Sequence, residues 1–201
     1  VGCQPIIGTQ INFSFSENNL EKMGKISLIA KNKAGYKNLL KLSSSSYLSI
    51  KKNEDPHCDI QELIDNSDGL IVLLGASRSL LSTLILENNI SDSELLLQKV
   101  QKSFKDNIYL EIQRHNESHE QALESQLLNF SEKLSIPIIA THEVFYLKKD
   151  MYEAHDAYIC VGQKTYVNDI KRLRYSEEHY FKSDSEMTEL FSDLPEAIEN
   201  N

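Results

Sequence analysis

The chain has 201 residues, of which 21 are Lys or Arg and 30 are Asp or Glu, so its formal net charge is −9, and 40% of the residues are hydrophobic. This composition is that of an ordinary globular protein and excludes disordered, collagenous and low-complexity chains. The acidic balance argues against a chain whose main task is to bind the phosphate backbone of nucleic acid, because that affinity comes from clustered Lys and Arg.

The cysteines and the apolar runs indicate the compartment. Cys3, Cys58 and Cys160 lie far apart in the sequence and form no C-x-x-C pair, which favours a reducing cytoplasm over a disulfide or zinc framework. No apolar run approaches the ~18 residues of a membrane span, and no signal peptide opens the sequence. We therefore expect a cytoplasmic protein with no membrane partner. Because the sequence begins at Val1 without a start Met, we also expect an excised fragment.

The first third of the chain predicts two strands and two helices. β-branched and aromatic residues predict strands within residues 6–15 and 26–30, separated by a turn at Ser16–Asn19. Apolar residues near helical spacing predict a helix over 36–47, whose serine run at 43–46 is expected to be a frayed helix end or a loop. Asp59 is expected to cap a short helix that ends before Gly69.

The middle of the chain alternates apolar runs with helical patterns. The runs are Leu70–Leu74, Ile108–Ile112 and Ile136–Ala140, and such runs are typical of strands buried in a parallel sheet. Helices are predicted over 80–85, 91–104 and 117–135, and further helices after residue 150. The alternation predicts an α/β fold with parallel strands, either a barrel or an open sheet. Since a complete eight-fold barrel takes ~250 residues, we expect part of it to be missing at the N-terminus.

Several polar residues are candidates for chemistry. Glu111 and Glu143 follow or end predicted strands, where a carboxylate can hold a metal or act as a base, or can instead cap a helix or pair with Arg114. His115 and His119 have the spacing of zinc ligands on a helix, but the Glu of an H-E-x-x-H motif is absent, and we expect both in a solvated loop or first turn. His155 and His179 lie in polar, amphipathic stretches and are expected to be surface or half-buried residues.

One basic cluster lies beside an aromatic residue. Lys171, Arg172 and Arg174 precede Tyr175, a combination that can contact single-stranded nucleic acid. Acidic residues flank the cluster closely, which favours an intramolecular or interdomain set of salt bridges over a nucleic-acid contact.

Several sequence blocks occur together in one order and resemble a known family, the PHP (polymerase and histidinol phosphatase) domain of the bacterial replicative DNA polymerase III alpha subunit. The blocks are PIIG at 5–8, LIAKN at 28–32, GYKNL at 35–39, DGLIVL at 68–73, YLEIQRH at 109–115, PIIAT at 137–141, and YFKS at 180–183 with the helical pattern that follows it. The resemblance covers nearly the whole chain. It implies a distorted (β/α)7 barrel that is incomplete here, followed by a short, mainly helical extension, with the barrel at 1–165 and the extension at 166–201.

The resemblance also implies where metal ligands would lie. The family's glutamate falls at Gln10, its histidine at Lys25, its cysteine or histidine at Ala76, and its Asp-x-His pair at Glu143 and Phe145. Four of these five positions lack a usable donor, and metals need several convergent O, N or S atoms. We therefore expect no metal and no catalytic residue in this chain, and an ion pair between Lys25 and Glu143 in place of the metal.

For the protein as a whole, the resemblance implies a DNA-directed DNA polymerase that uses magnesium in a core outside this chain. The implied partners are the rest of the alpha subunit, a proofreading exonuclease subunit, the replicase holoenzyme, and DNA through the parent protein. On this reading the chain itself is an inactive scaffold and docking surface. The alternative is an active, metal-dependent PHP phosphoesterase or proofreading nuclease.

Overall fold

A computed structural model describes residues 2–17, 20–51 and 54–201, and its centre is one mixed sheet. The sheet contains β1 (Gly8–Glu17), β2 (Leu20–Ala30), β3 (Cys58–Asp59), β4 (Leu70–Leu74), β5 (Ile108–Ile112) and β6 (Ile138–Ala140). Their spatial order is β3-β1-β2-β4-β5-β6. The α/β class is confirmed, and the sheet stays open among the described residues.

The parallel arrangement is confirmed for the three apolar runs. β4 pairs in parallel with β5, and β5 with β6. The helices between these strands are α3 (Leu80–Leu86), α4 (Ile90–Phe104) and α5 (Glu120–Leu134). Because the connections leave β4 and β5 at the same end, the carboxyl ends of the three strands meet at one edge of the sheet.

The first two strands form a long antiparallel hairpin. β1 and β2 pair from Gly8 with Ile29 to Glu17 with Leu20. β2 is about twice as long as predicted, because its first half contains three charged residues and a glycine and shows no apolar run. The backbone of Ser16 belongs to β1 and is not part of a turn, and the rest of that predicted turn, Asn18 and Asn19, lies outside the described residues.

The serine run is helical, so the prediction of a frayed helix end or a loop at 43–46 was wrong. α1 spans Lys33–Leu48 and includes all four serines. Ser44 donates its hydroxyl hydrogen bond to the carbonyl of Leu40 (2.9 Å), and Ser46, which is buried, donates to the carbonyl of Ser43 (2.8 Å). Serine hydroxyls that find partners on the helix's own backbone do not have to end it. The short helix after Asp59 is α2 (Ile60–Asp65), capped by that aspartate as predicted.

The C-terminal part contains three helices, of which the last two pack against the core of the sheet. They are α6 (Tyr152–Gln163), α7 (Asp184–Leu190) and α8 (Glu196–Glu199). Phe191 and Ala197 are fully buried in the same hydrophobic cluster as the strands. The division of the chain at residue 165 stays a prediction. Within the ranges that the structure describes, no helix is both long and apolar enough to cross a membrane.

Candidate functional site

A cavity of about 350 Å³ lies at the carboxyl ends of the parallel strands. The five positions at which the resemblance places metal ligands come from four separate parts of the chain, and all five line this one cavity: Gln10, Lys25, Ala76, Glu143 and Phe145. The convergence of these positions identifies the cavity as the candidate site. Ser77 and Arg78, which the sequence reasoning missed, also line it, as does Tyr175 from the end of the basic cluster. Ser77 and Arg78 follow β4 directly, so the rule that names strand ends as functional positions could have found them.

Local geometry explains how these residues reach the cavity. Gln10 on β1 lies opposite Ser27 on β2, and its amide donates a hydrogen bond to the Ser27 hydroxyl (3.1 Å). Gly75 ends β4 with φ at +114°, a conformation that side chains disfavour, and a Cβ there would lie 2.8 Å from the carbonyl oxygen of Glu111. This close approach brings the loop at Ala76 over β5.

Glu111 on β5 is the most unusual group in the cavity wall. Its side chain is buried, its Oε2 accepts a hydrogen bond from Thr141 (3.1 Å), and its Oε1 has no hydrogen-bond partner among the described residues. Burial raises the pKa of Glu111 to about 7, against the opposing effect of the Thr141 hydrogen bond. Neither predicted alternative, a helix cap or a pair with Arg114, is present. Arg114 instead binds Glu124 and Asp193, at 2.6 Å each.

The residues present do not fit a metal cluster of the kind that the resemblance implies. The five converging positions offer one carboxylate, one amide, one ammonium group, one methyl group and one phenyl ring. A cation placed there would meet a like charge at Lys25 and too few donor atoms at the other positions. Across the described residues, no group of three or more His, Cys, Asp or Glu side chains is arranged to hold a metal ion.

Positive charge enters the cavity from two side chains. Lys25 is exposed at the cavity wall, and the ion pairs of the described residues do not include the predicted pair with Glu143. Arg78 donates a hydrogen bond to the hydroxyl of Tyr175, and its guanidinium carbon lies 4.3 Å from the centre of that ring. Arg78 is thereby held over the cavity by the segment that follows α6.

Three stacked histidines lie beside the cavity. The ring of His115 lies 4.4 Å from that of His142 and 4.1 Å from that of His179. His115 is 1% exposed, so the prediction of a solvated position was wrong. The Nδ1 of His115 donates a hydrogen bond to the Glu120 carboxylate (3.1 Å), and the Nε2 of His115 accepts one from the backbone N–H of Glu143 (3.0 Å).

The other two rings of this stack connect the C-terminal segment to the strand ends. His142 donates from Nε2 to the carbonyl of Glu178 (2.9 Å), and His179 donates from Nδ1 to the carbonyl of Glu143 (3.0 Å). Burial lowers the pKa of both His142 and His179 to about 4. His142 and His179 are therefore neutral at pH 7, and the stack acts as a packed joint. His179 is 3% exposed, which corrects the prediction of a surface or half-buried residue.

The spacing of His115 and His119 does not make a zinc pair. His119 lies at the start of α5, and its Nε2 is 2.5 Å from the hydroxyl of Ser77. His115 already uses both ring nitrogens within its own cluster. The two rings therefore have different partners, although they are four residues apart.

The basic cluster divides between one buried arginine and two exposed cations. Arg172 is 1% exposed and makes two hydrogen bonds of 2.5 Å to the carboxylate of Asp156 on α6. These bonds hold the pKa of Asp156 below its usual range. Lys171 is exposed, and Arg174 is 61% exposed with its Nε 3.8 Å from Asp156. Arg172 is thus part of an intramolecular salt bridge, whereas Lys171 and Arg174 are accessible to a partner.

The open α/β sheet, with its cavity at the carboxyl ends of parallel strands, has the architecture of a PHP barrel-like domain. A family model described as PHP domain matches residues 1–115, which is more than half of the chain. The chain belongs to the PHP domain family.

Similar full-length proteins carry a single name. DNA polymerase III subunit alpha of Rickettsia bellii is 37% identical over 199 residues, covering 99% of this chain and 17% of that protein. The subunits with the same name from Caulobacter vibrioides and Vibrio cholerae are 34% and 33% identical, over 99% and 100% of this chain and 18% and 17% of their own lengths. The chain therefore spans less than a fifth of these relatives.

Proposed function

We propose that this chain is the PHP region of a DNA polymerase III alpha subunit and serves as a scaffold that holds no catalytic metal. The observation that carries the proposal is the convergence on one cavity of Gln10, Lys25, Ala76 and Phe145, the four positions that lack a usable metal donor. The cavity is kept, but its chemistry is that of a packed polar pocket. The names of the relatives support the polymerase assignment.

On this proposal the parent polypeptide is a DNA-directed DNA polymerase of the cytoplasm, whose magnesium lies in a core outside this chain. The PHP region then supports that core and offers a docking surface to the proofreading exonuclease subunit of the replicase. The net charge of −9 agrees with a surface that meets protein rather than DNA. Lys171 and Arg174 are the accessible cations through which the region could still meet DNA or a neighbouring domain.

The metal-free state is tested by measuring metal content and affinity. After dialysis against Zn²⁺ or Mn²⁺, we expect the full-length polypeptide to retain no metal in this region. We also expect the cavity to support no phosphoesterase activity and no 3′-mismatch nuclease activity when either metal is present. Cavity-dependent turnover in the unmodified protein would support the alternative, an active PHP phosphoesterase.

A gain-of-function variant sharpens this test. The substitutions Gln10→Glu, Lys25→His, Ala76→Cys, Glu143→Asp and Phe145→His replace the five cavity positions with donors. We expect this variant to bind Zn²⁺ at least about tenfold more tightly than the unmodified protein, because convergent donors in a formed pocket determine the affinity. The control carries Lys37→His and Glu132→His, at exposed positions of α1 and α5 that do not line the cavity, and should show no gain.

Docking of the exonuclease subunit needs a separate measurement. We expect the full-length alpha subunit to bind the purified exonuclease in size-exclusion chromatography, and a version without the whole 201-residue region to lose that binding. Unchanged binding after the deletion would remove the docking role and leave the metal-free proposal standing.

A further inference from the structure

α6 is a surface helix that exposes large apolar side chains and buries an ion-paired carboxylate. Its inward face buries Asp156 and Cys160, and the Asp156 carboxylate is held by Arg172. Its outward face carries Tyr158, which is 75% exposed, and Val161, which is 77% exposed. The outward face of a surface helix normally carries charged or polar residues, so exposed side chains of this size are unusual there.

The apolar surface continues into the segment after α6. Tyr166, Val167 and Ile170 are exposed, and Ile170 is 98% accessible. Arg172 joins this segment to the helix, because its guanidinium bonds both Asp156 and the carbonyl of Val167 (3.2 Å). We call the five exposed residues the α6 surface: Tyr158, Val161, Tyr166, Val167 and Ile170.

Single exposed apolar residues are common and need no partner, but a cluster of this kind indicates a binding surface. Five large apolar side chains fall within thirteen residues, two of them tyrosines, a residue type enriched at protein interfaces. The exposed cations Lys164 and Lys171 lie in the same stretch of sequence. The surface therefore suits an apolar segment with acidic residues at its margin.

The direction of the chain indicates which segment that is. The side chain of Asn200 donates to the carbonyl of Ile138, and that of Asn201 donates to the carbonyl of Ala140, each at 2.9 Å. The last described residues thus run beside β6 towards its carboxyl end. At that end the loop after β6 packs against α6, with the ring of Phe145 stacked 5.2 Å from that of His155.

We propose that the α6 surface is covered by the part of the same polypeptide that follows this region, packed within one molecule. The relatives support this occupant, since more than four-fifths of their length lies outside the matched span. The inference rests on the proposed function, because it needs the chain to be a region of a longer polypeptide. It adds which face of the scaffold meets the rest of that polypeptide.

Hydroxyl-radical footprinting of the full-length polypeptide tests the proposal. Oxidation of Tyr158 and Tyr166 is normalised to the same tyrosines in urea and compared with Tyr47, which is 67% exposed on α1. We expect Tyr158 and Tyr166 to be oxidised about fivefold less than Tyr47, because the core of an interface excludes water. Equal oxidation of all three would overturn the proposal. Protection that appears only when exonuclease is added, or that grows with polypeptide concentration, would also overturn it, since a second protein or a second copy would then be the occupant.

A charge placed in the surface gives an independent readout. In the full-length polypeptide, Val161→Asp with Ile170→Asp should restore oxidation of Tyr158, whereas Leu48→Asp, at an 82% exposed site on α1, should not. Persistent protection in the double variant would contradict the proposal. Exonuclease binding is measured on the same variants. If the unmodified protein does not bind exonuclease, the docking role is removed, but this inference is left intact.

Discussion

Glu111 keeps a carboxyl group in the protein interior with only one of its oxygens hydrogen-bonded. Burial raises its pKa from 4.5 to about 7. The folded state therefore binds this proton more tightly than the unfolded state does. The resulting stabilisation is fully present below about pH 4.5 and is lost as the pH rises through about 7.

The substitution Glu111→Gln should remove this pH dependence. A pKa change of this size corresponds to roughly 3 kcal/mol, so the free energy of unfolding of the variant, relative to the unmodified chain, should rise by up to about that amount between pH 5 and pH 8. Urea unfolding of the 201-residue chain at both pH values measures it. The exposed Glu132→Gln serves as control. If the free energy of unfolding differs between the variant and the unmodified chain by the same amount at both pH values, the pKa of Glu111 is not raised in the fold.

The histidine stack should respond to pH in the opposite sense. His142 and His179 have their pKa lowered from 6.5 to about 4, so the packing that depends on their neutral rings is fully present above about pH 6.5 and is lost as the pH falls through about 4. Over this pH range the effect of the two histidines on stability is opposite in sign to that of Glu111, and two histidines act against one carboxyl group. We therefore expect the joint between the strand ends and the C-terminal segment to weaken in acid.

Hydrogen exchange can locate that weakening. The amides of Phe145 and Phe181 donate to the carbonyls of His179 and Tyr146, at 2.9 Å each. After correction for intrinsic rates, both amides should lose protection between pH 7 and pH 5 more than the amide of Leu110 in β5, which donates to Pro137. Parallel loss at all three amides would mean that the joint does not open by itself.

α6 shows how the structure of an element depends on a single ion pair. Arg172 and Asp156 are both nearly inaccessible, and they hold the segment after α6 against the helix. The flanking acidic residues predicted a salt bridge in this cluster, but they did not single out Asp156, which lies sixteen positions before its partner. Pairing over such a distance is decided by the fold and not by local charge pattern.

The variant Arg172→Gln should therefore destabilise the chain, whereas Lys171→Gln should not. Removing one partner of an inaccessible pair leaves the other charge without compensation, and an exposed lysine leaves no such defect. The thermal unfolding midpoint of each variant measures the effect. If both variants unfold at the same temperature as the unmodified chain, the pair contributes nothing to stability, and the order of the segment after α6 has another cause.

At the scale of the whole molecule, the sequence predicted the parallel strands well and the rest of the sheet less well. Nearly continuous apolar runs predicted β4 and β5 directly, because strands covered on both sides consist mainly of apolar residues, and Glu111 is the one acidic or basic residue in these two strands. β2 has one face open to solvent in its first half, and the charged residues Glu21 and Lys25 on that face interrupt the apolar pattern. The helix through Ser43–Ser46 was missed because its hydroxyls bond locally.

The candidate site was predicted through the resemblance and not through local pattern. Gln10 and Ala76 carry no chemical signal of their own, and only their place in the sequence blocks brought them together. The burial of His115 could not be read from its neighbours, because it depends on Glu120 and on the loop after β6. Sequence position alone therefore located the cavity, while the state of each group in it needed the structure.

Residues 166–201 either fold together with the sheet or form a separate folding unit. Phe191, after α7, is fully buried in the common core, and the guanidinium carbon of Arg114 lies 4.6 Å from its ring centre. Phe191→Ala should lower the free energy of unfolding by about 3–5 kcal/mol, the usual cost of emptying a buried phenylalanine site. The matched Phe181→Ala, at a site 65% exposed, should cost far less.

Because both parts share one core, circular dichroism and the exchange of amides in β4–β6 should report one common transition that shifts with Phe191→Ala. A transition of β4–β6 that does not shift would establish residues 166–201 as a separate folding unit, with a boundary near residue 165.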